Sequence, residues 1–217
     1  MVEAIHKRDA VRALEVLRKR PELASMRRES ALSPLMLALY NGLEDVARAI
    51  QPLAGQLNVF DAAAIGDVEQ LRQLTTNDAI ANAWSEDGFT PLHLAAFFGR
   101  AEAVRLLIDR GARLETPSRN EQFAGDARPL HSAVAAQQLE VTRILLERGA
   151  DPNARQHGGF TPLLEAAQSG NGELVQLLLS YGANTDSRLD DGRSAADLAG
   201  TSPNPRIVDL LAGSGTS

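Results

Sequence analysis

The chain has 217 residues, 44% of them hydrophobic and 23% charged, a balance that supports a buried core in one or two domains and argues against disorder. Its net charge of −6 and pI near 5.3 argue against a polyanion as the main partner, because nucleic-acid binders present a dominant basic face. With no cysteine there is neither a disulfide framework nor a cysteine zinc site, and with aromatics at 4% the core must be filled by Leu, Ile, Val and Ala, which suits small, closely spaced helices.

Residues 1 to 30 are locally basic: Lys7, Arg8, Arg12, Arg18, Lys19, Arg20, Arg27 and Arg28 stand against five acids, which leaves about −9 for the remainder. Charges scattered through "MVEAIHKRDAVRALEVLRKR" leave no apolar run for a secretory signal. No later stretch reaches 18 apolar residues, so the expectation is a cytoplasmic protein without a membrane span. From Val11, "VRALEVLRKRPELA" reads as the second half of a helix pair whose beginning is truncated. "SPLMLALYNG" from Ser33 and "NVFDAAAIGD" from Asn58 read as short first helices ending at Gly42 and Gly66. Those glycines are 24 residues apart, whereas Gly66 and Gly99 are 33 apart, so the connector "QPLAGQL" has lost about nine residues and the regularity of the stack should break there.

The next unit, "GFTPLHLAAFFGR" from Gly88, shows the local chemistry most plainly. Thr90 is a good N-cap, Pro91 takes the first helical position where its missing N–H costs nothing, and Gly99 closes a helix of about two turns. So short a helix does not persist alone in water. Ala95 and Ala96 allow a second helix to approach closely, and that helix is predicted from about Glu102 to Arg110, with Val104, Leu107 and Ile108 along its buried stripe and Arg110 complementing its dipole.

The pattern then recurs. "FTPLHLAA", "RPLHSAVA", "FTPLLEAA" and "RSAADLAG" share one phase: Pro91 to Pro129 is 38 residues, Pro129 to Pro162 is 33, and Pro162 to Ala195 is 33. The period is 33, with five residues inserted between Leu114 and Arg128. "VRLLIDRGA", "TRILLERGA" and "VQLLLSYGA" repeat the second helix at a common phase.

This combination of "G-x-T-P-L-H-L-A-A-x-x-G" with "V-x-L-L-x-x-G-A" resembles the ankyrin repeat, in about six copies including degraded terminal ones. The resemblance implies an all-α solenoid: a right-handed stack of helix-turn-helix units, with β-turn fingers at one edge and the first helices lining a concave face. We divide the one domain, 1–217, into a truncated N-terminal capping unit at 2–32, repeats at 33–57, 58–84, 85–117, 118–155 with the insertion, and 156–188, and a C-terminal capping unit at 189–217. In that last unit Ser-Ala-Ala-Asp replaces Thr-Pro-Leu-His, and "TSPNPRIVDLLAGSGTS" is polar, as a terminal unit requires.

No catalytic constellation is evident, and no cofactor or metal is expected. The histidines lack the four-residue helical spacing of a zinc protease, and there is no "GxSxG" elbow or "GxxxxGK" phosphate loop. The resemblance gives His93 and His131 a structural role, hydrogen-bonding between neighbouring loops. His6 has no ligand spacing around it, and paired acids such as Asp190 and Asp191 fall at finger tips where water keeps them ionised.

What remains is a surface for binding. Of nine aromatics, Trp84, Phe89, Phe97 and Phe98 fall within fifteen residues, and Phe97 and Phe98 are adjacent on a helix, where they cannot share one core-facing direction. The resemblance places Glu86, Asp87, Phe89, Phe97 and Phe98 on the groove where partners bind, with Tyr40 and Phe160 flanking and His157 at a finger tip. A second reading stands beside it: the inserted "TPSRNEQFAGDA", carrying Phe123, folds back so that 118–125 covers Phe97 and Phe98 and buries the two rings. The expected function is a non-enzymatic protein-protein interaction module, a scaffold, adaptor or inhibitor, and a monomer. The alternative is binding of nucleic acid or an anionic surface through the basic N-terminal helices. Twenty arginines against two lysines point to a GC-rich, bacterial genome.

Overall fold

The computed structural model describes residues 1–26, 32–121, 125–201, 204 and 206–213. Its helices come in antiparallel pairs. α1 (Val2–His6) pairs with α2 (Ala10–Lys19), α3 (Pro34–Tyr40) with α4 (Glu44–Ile50), and α5 (Val59–Ile65) with α6 (Val68–Leu74). After a single turn, α7 (Asp78–Ala81), the regular units follow: α8 (Pro91–Phe97) with α9 (Ala101–Asp109), α10 (Pro129–Ala135) with α11 (Leu139–Glu147), α12 (Pro162–Ser169) with α13 (Gly172–Ser180), and α14 (Ala195–Gly200) with α15 (Arg206–Gly213). The described residues thus hold seven pairs, one in each of the seven units delimited above, against the count of about six repeats. The N-terminal unit keeps a first helix, α1, of five residues where the sequence suggests a truncated beginning.

Five of the seven first helices begin at a side-chain cap. The side chains of Ser33, Asn58, Thr90, Thr161 and Ser194 accept from the amide three residues on, satisfying donors that the first turn leaves orphaned. Helix ends turn through left-handed glycines, with φ of 82° at Gly66 and 69° at Gly99.

First helices pack in one row, α3 on α5, α5 on α8, α8 on α10, α10 on α12 and α12 on α14. A parallel row of second helices runs α6, α9, α11, α13, α15. Between the rows lies a continuous aliphatic core in which Leu107, Leu145 and Leu178, the seventh residue of α9, α11 and α13, are each fully buried. Helix α9 runs one residue earlier than expected, from Ala101 to Asp109, and its stripe differs slightly: Ala103 and Leu106 are buried beside Val104 and Leu107, and Ile108 is only half-buried.

The shortened connector after α4 is a 3-10 turn, Gln51–Leu53, and the α4 to α6 step is the loosest in the outer row. Side chains span it. Gln51 Nε2 donates to Asp67 at 3.0 Å, and the backbone amide of Leu57 donates to Gln70 Oε1 at 3.1 Å. Arg100 ties three units together: its Nη2 meets both oxygens of Glu44 at 2.8 and 3.1 Å, and its Nε donates to the Ala64 carbonyl at 2.9 Å. There is no β-sheet among the described residues, only one bridge between Arg188 and Ser194, and no described helix is long and apolar enough to cross a membrane.

Candidate binding groove

Fingers project from the loops that precede the first helices. Three share one construction: Ser85 with Phe89, Gln156 with Phe160, and Leu189 with Arg193 each close by an amide-to-carbonyl hydrogen bond of 2.8 to 2.9 Å across a four-residue step. In the remaining unit the corresponding bond joins Ser118 to Ala127, a nine-residue step, so all five inserted residues lengthen the finger itself. One backbone bond links each finger to the next: Arg119 N to Gly88 O at 2.8 Å, His157 N to Gly125 O at 3.0 Å, and Asp190 N to Gly158 O at 3.0 Å. Gly88, at φ +83°, lies so close to its neighbour that a β-carbon would stand 2.7 Å from the backbone of Arg119 and Asn120.

Where the fingers meet the first helices there is a cavity of about 410 Å³, and its walls are mainly apolar. Phe89, Leu94, Phe97, Ala127 and Ala135 contribute from α8, α10 and the fingers, while Leu32 and Tyr40 close one end. Tyr40 reaches it across an intervening unit: its hydroxyl donates to Asp87 at 2.7 Å, and its ring packs on Phe97 and Phe98 at centroid distances of 6.4 and 5.4 Å. Burial and the Asp87 carboxylate raise the Tyr40 pKa above its ordinary value, so the hydroxyl stays protonated and keeps donating. Asp87 is further fixed by the Ser85 hydroxyl, and Asn120 donates to the Asp87 carbonyl at 2.8 Å.

Two buried histidines form the back of the cavity. His93 Nε2 lies 2.9 Å from the Ala127 carbonyl and therefore carries the proton, leaving Nδ1 to accept from Thr90, whose hydroxyl is 2.7 Å away. Burial lowers its pKa to about 4, and His131, which accepts the Arg128 amide on Nδ1 at 3.1 Å, is lowered to about 4 for the same reason. Both imidazoles are neutral near pH 7. Glu165 of α12 is different. It stands at the phase occupied by Leu94 in α8 and Ser132 in α10, it lines the cavity, and its buried Oε2 has no hydrogen-bond partner. Desolvation alone raises its pKa to about 8.

The aromatic residues do not act as one cluster. Phe97, 39% exposed, and the half-buried Phe98 meet edge-on at 5.1 Å, and both join Tyr40. Phe89 packs on His93 at 5.9 Å and lines the cavity. Trp84 is apart from them: Arg119 stacks over its ring at 3.5 Å, and its Nε1 donates to the Pro117 carbonyl at 3.4 Å. Glu86 is exposed at the finger tip, His157 is exposed in the third finger, and Phe160 is half-buried at that finger's base. Phe123 lies outside the described residues. From the described part of the insertion, Asn120 and Ala127 reach the cavity. Sequence reasoning missed Glu165, although an acid among the apolar residues of "FTPLLEAA" marked it, and it missed Leu32, Asn120 and Gln156, which only the folded loops bring here.

At the basic end, Lys7, Arg12 and Arg20 pair with Glu3, Glu15 and Glu22, while Arg8, Arg18 and Lys19 are exposed. Arg27 and Arg28 lie outside the described residues. No group of three or more metal-ligating side chains occurs among the described residues.

Compared with known families, the chain matches "Ankyrin repeats (3 copies)" over residues 59–156 and again over 130–217. Among curated proteins it is similar to the human DNA-binding protein RFXANK, 38% identical over 65 residues, which are 30% of this chain and 25% of that protein. It is also similar to the mouse protein phosphatase 1 regulatory subunit 12A, 42% identical over 65 residues, 30% of this chain and 6% of the relative. The matched segment thus spans a quarter or less of either relative's length.

Proposed function

Because the chain belongs to the ankyrin-repeat family, we propose that it is a non-enzymatic module that binds a protein partner in the groove between its fingers and its first helices, as a scaffold, adaptor or inhibitor. One observation carries this reading: an apolar cavity of about 410 Å³ that opens between rigid elements and is lined by Tyr40, Phe89, Leu94 and Phe97. Aromatic side chains that are only partly covered are the residues that anchor interfaces. Preformed concave sites with few polar groups are where ligands are held. One of these relatives is by its name a regulatory subunit of a protein phosphatase, and a subunit docks onto another protein. Glu86, His157 and Phe160 form the outer rim in this reading, while Trp84 fixes the neighbouring finger.

The test is capture from the native cell with wild-type protein and with Phe97→Ser and Phe98→Ser variants. We expect the captured partner to be lost with Phe97→Ser while the melting temperature changes little. Binding that is unchanged while stability falls would show that the rings serve the interior only.

A second reading, nucleic acid or an anionic surface held by α1 and α2, rests on the exposed Arg8, Arg18 and Lys19 and on the relative named as DNA-binding. Phosphate contacts make affinity fall steeply between about 50 and 200 mM salt. A captured partner whose binding collapsed over that range, and survived Phe97→Ser, would favour it.

A further inference from the structure

We propose that the cavity receives the side chain of a lysine or arginine from the bound protein, its cationic head set against Glu165 and its methylene stem between the apolar walls. The inference rests on the groove being the binding site and names the chemistry that the groove selects.

Three observations support it. Glu165 Oε2 is buried, faces the cavity and has no hydrogen-bond partner, whereas buried polar side-chain atoms in folded proteins are nearly always paired. An unpaired acceptor in an apolar wall is the half of an interaction whose other half is absent. Next, the charges are one-sided. The lining contains two acids, Asp87 and Glu165, and no lysine or arginine. Asp87 is already occupied by the hydroxyls of Tyr40 and Ser85, and the two histidines are neutral, the unpaired His131 Nε2 being a donor, so Glu165 is the carboxylate left for a cation. Finally, the shape and composition suit a long amphipathic side chain. Such a side chain rests its stem on apolar surface and carries its charge at the tip, and the faces of Tyr40, Phe89 and Phe97 attract cations as well as methylenes. A norleucine of equal length would fill the walls and leave Glu165 unpaired.

The position of Glu165 in the stack adds a contrast. The same phase holds Leu37, Leu94 and Ser132 in other units, residues that pack or hydrogen-bond without cost. An acid there holds a proton that it must release when a cation arrives, and residues that break a local rule without compensation mark functional sites.

The experiment uses the full chain, immobilised, and four pools of nine-residue peptides with a fixed central residue and no other charged residues. The central residue is lysine, arginine, citrulline or norleucine. We expect the lysine or arginine pool to be retained at least about tenfold better than the other two, and Glu165→Gln, shown to be folded by its thermal transition, to remove that preference. The lysine and arginine arms report which head group is favoured. Norleucine retained as well as lysine, and lost with Phe97→Ser, would leave the groove as the binding site and overturn the cation. Citrulline equal to arginine, with Glu165→Gln unchanged, would also overturn it, since a neutral hydrogen bond then suffices. Retention of no pool overturns it as well. Retention that ignores both Phe97→Ser and Glu165→Gln places binding elsewhere, and both readings fail together.

Discussion

A leucine in the second helices shows how little of the stability resides in any finger. Leu145 is fully buried between the two helix rows, so Leu145→Ala removes three buried carbons and leaves a void that rigid neighbours cannot fill. We expect a loss of about 2 to 5 kcal/mol in urea denaturation. Asp190, by contrast, accepts from Arg155 at 3.0 Å with both side chains largely in water. Exposed ion pairs contribute little, so Asp190→Ala should change stability by less than about 1 kcal/mol. The reverse order would mean that the helix phases are misassigned. Both positions are legible in the sequence, because the repeat sets burial by phase alone. Trp84 is not. It is two residues from Glu86 at the finger tip, but its partner Arg119 lies on the next finger, 35 residues on.

The finger is the element on which the groove depends. Its turn is local chemistry, a glycine with positive φ closing a four-residue step, and each finger then leans on the next by one backbone bond. At Gly88 both constraints coincide, since left-handed backbone and a 2.7 Å approach leave no room for a methyl group. Gly88→Ala should therefore push the 117–120 segment of the lengthened finger away and cost about 1 to 3 kcal/mol. As the chain has one tryptophan, emission from Trp84 reports this directly. We expect a red shift as the ring loses Arg119. An unshifted spectrum would show that the fingers do not lean on each other there.

At the scale of the whole stack, His93, His131 and Glu165 give stability a dependence on pH between 4 and 8. His93 and His131 take up a proton near 6.5 when unfolded and near 4 when folded, so the unfolded chain binds more protons between those values, and stability rises with pH across that window. Glu165 acts oppositely: it loses its proton near 4.5 when unfolded and near 8 when folded, so stability falls as pH rises from 4.5 to 8. Two histidines outweigh one glutamate up to 6.5, and the glutamate acts alone above it. The expected profile peaks near pH 6.5 and declines toward 8 by up to about 1.4 kcal/mol per pH unit. Glu165→Gln should flatten that decline and, at pH 7, raise stability by about 1 to 3 kcal/mol. Denaturation midpoints between pH 4 and 9 test both limbs, and a wild-type stability that kept rising through pH 8 would contradict the burial of Glu165.

The caps, the turns and the buried leucines of the second helices are legible in the sequence. Those follow from chemistry repeated every 33 residues, in which Thr90 or Gly99 acts only on its own turn. The contents of the groove follow from how the units stack. Tyr40 meets Asp87 across 47 residues because the unit between them has no finger and only Ala64 and Ile65 where its neighbours carry rings. Glu165 comes to share a cavity with Leu94 because stacking brings equivalent phases of successive first helices side by side. Local spacing specifies which way a side chain points, but what it meets depends on the length of every connector between the two, and here one connector is short and one finger is long.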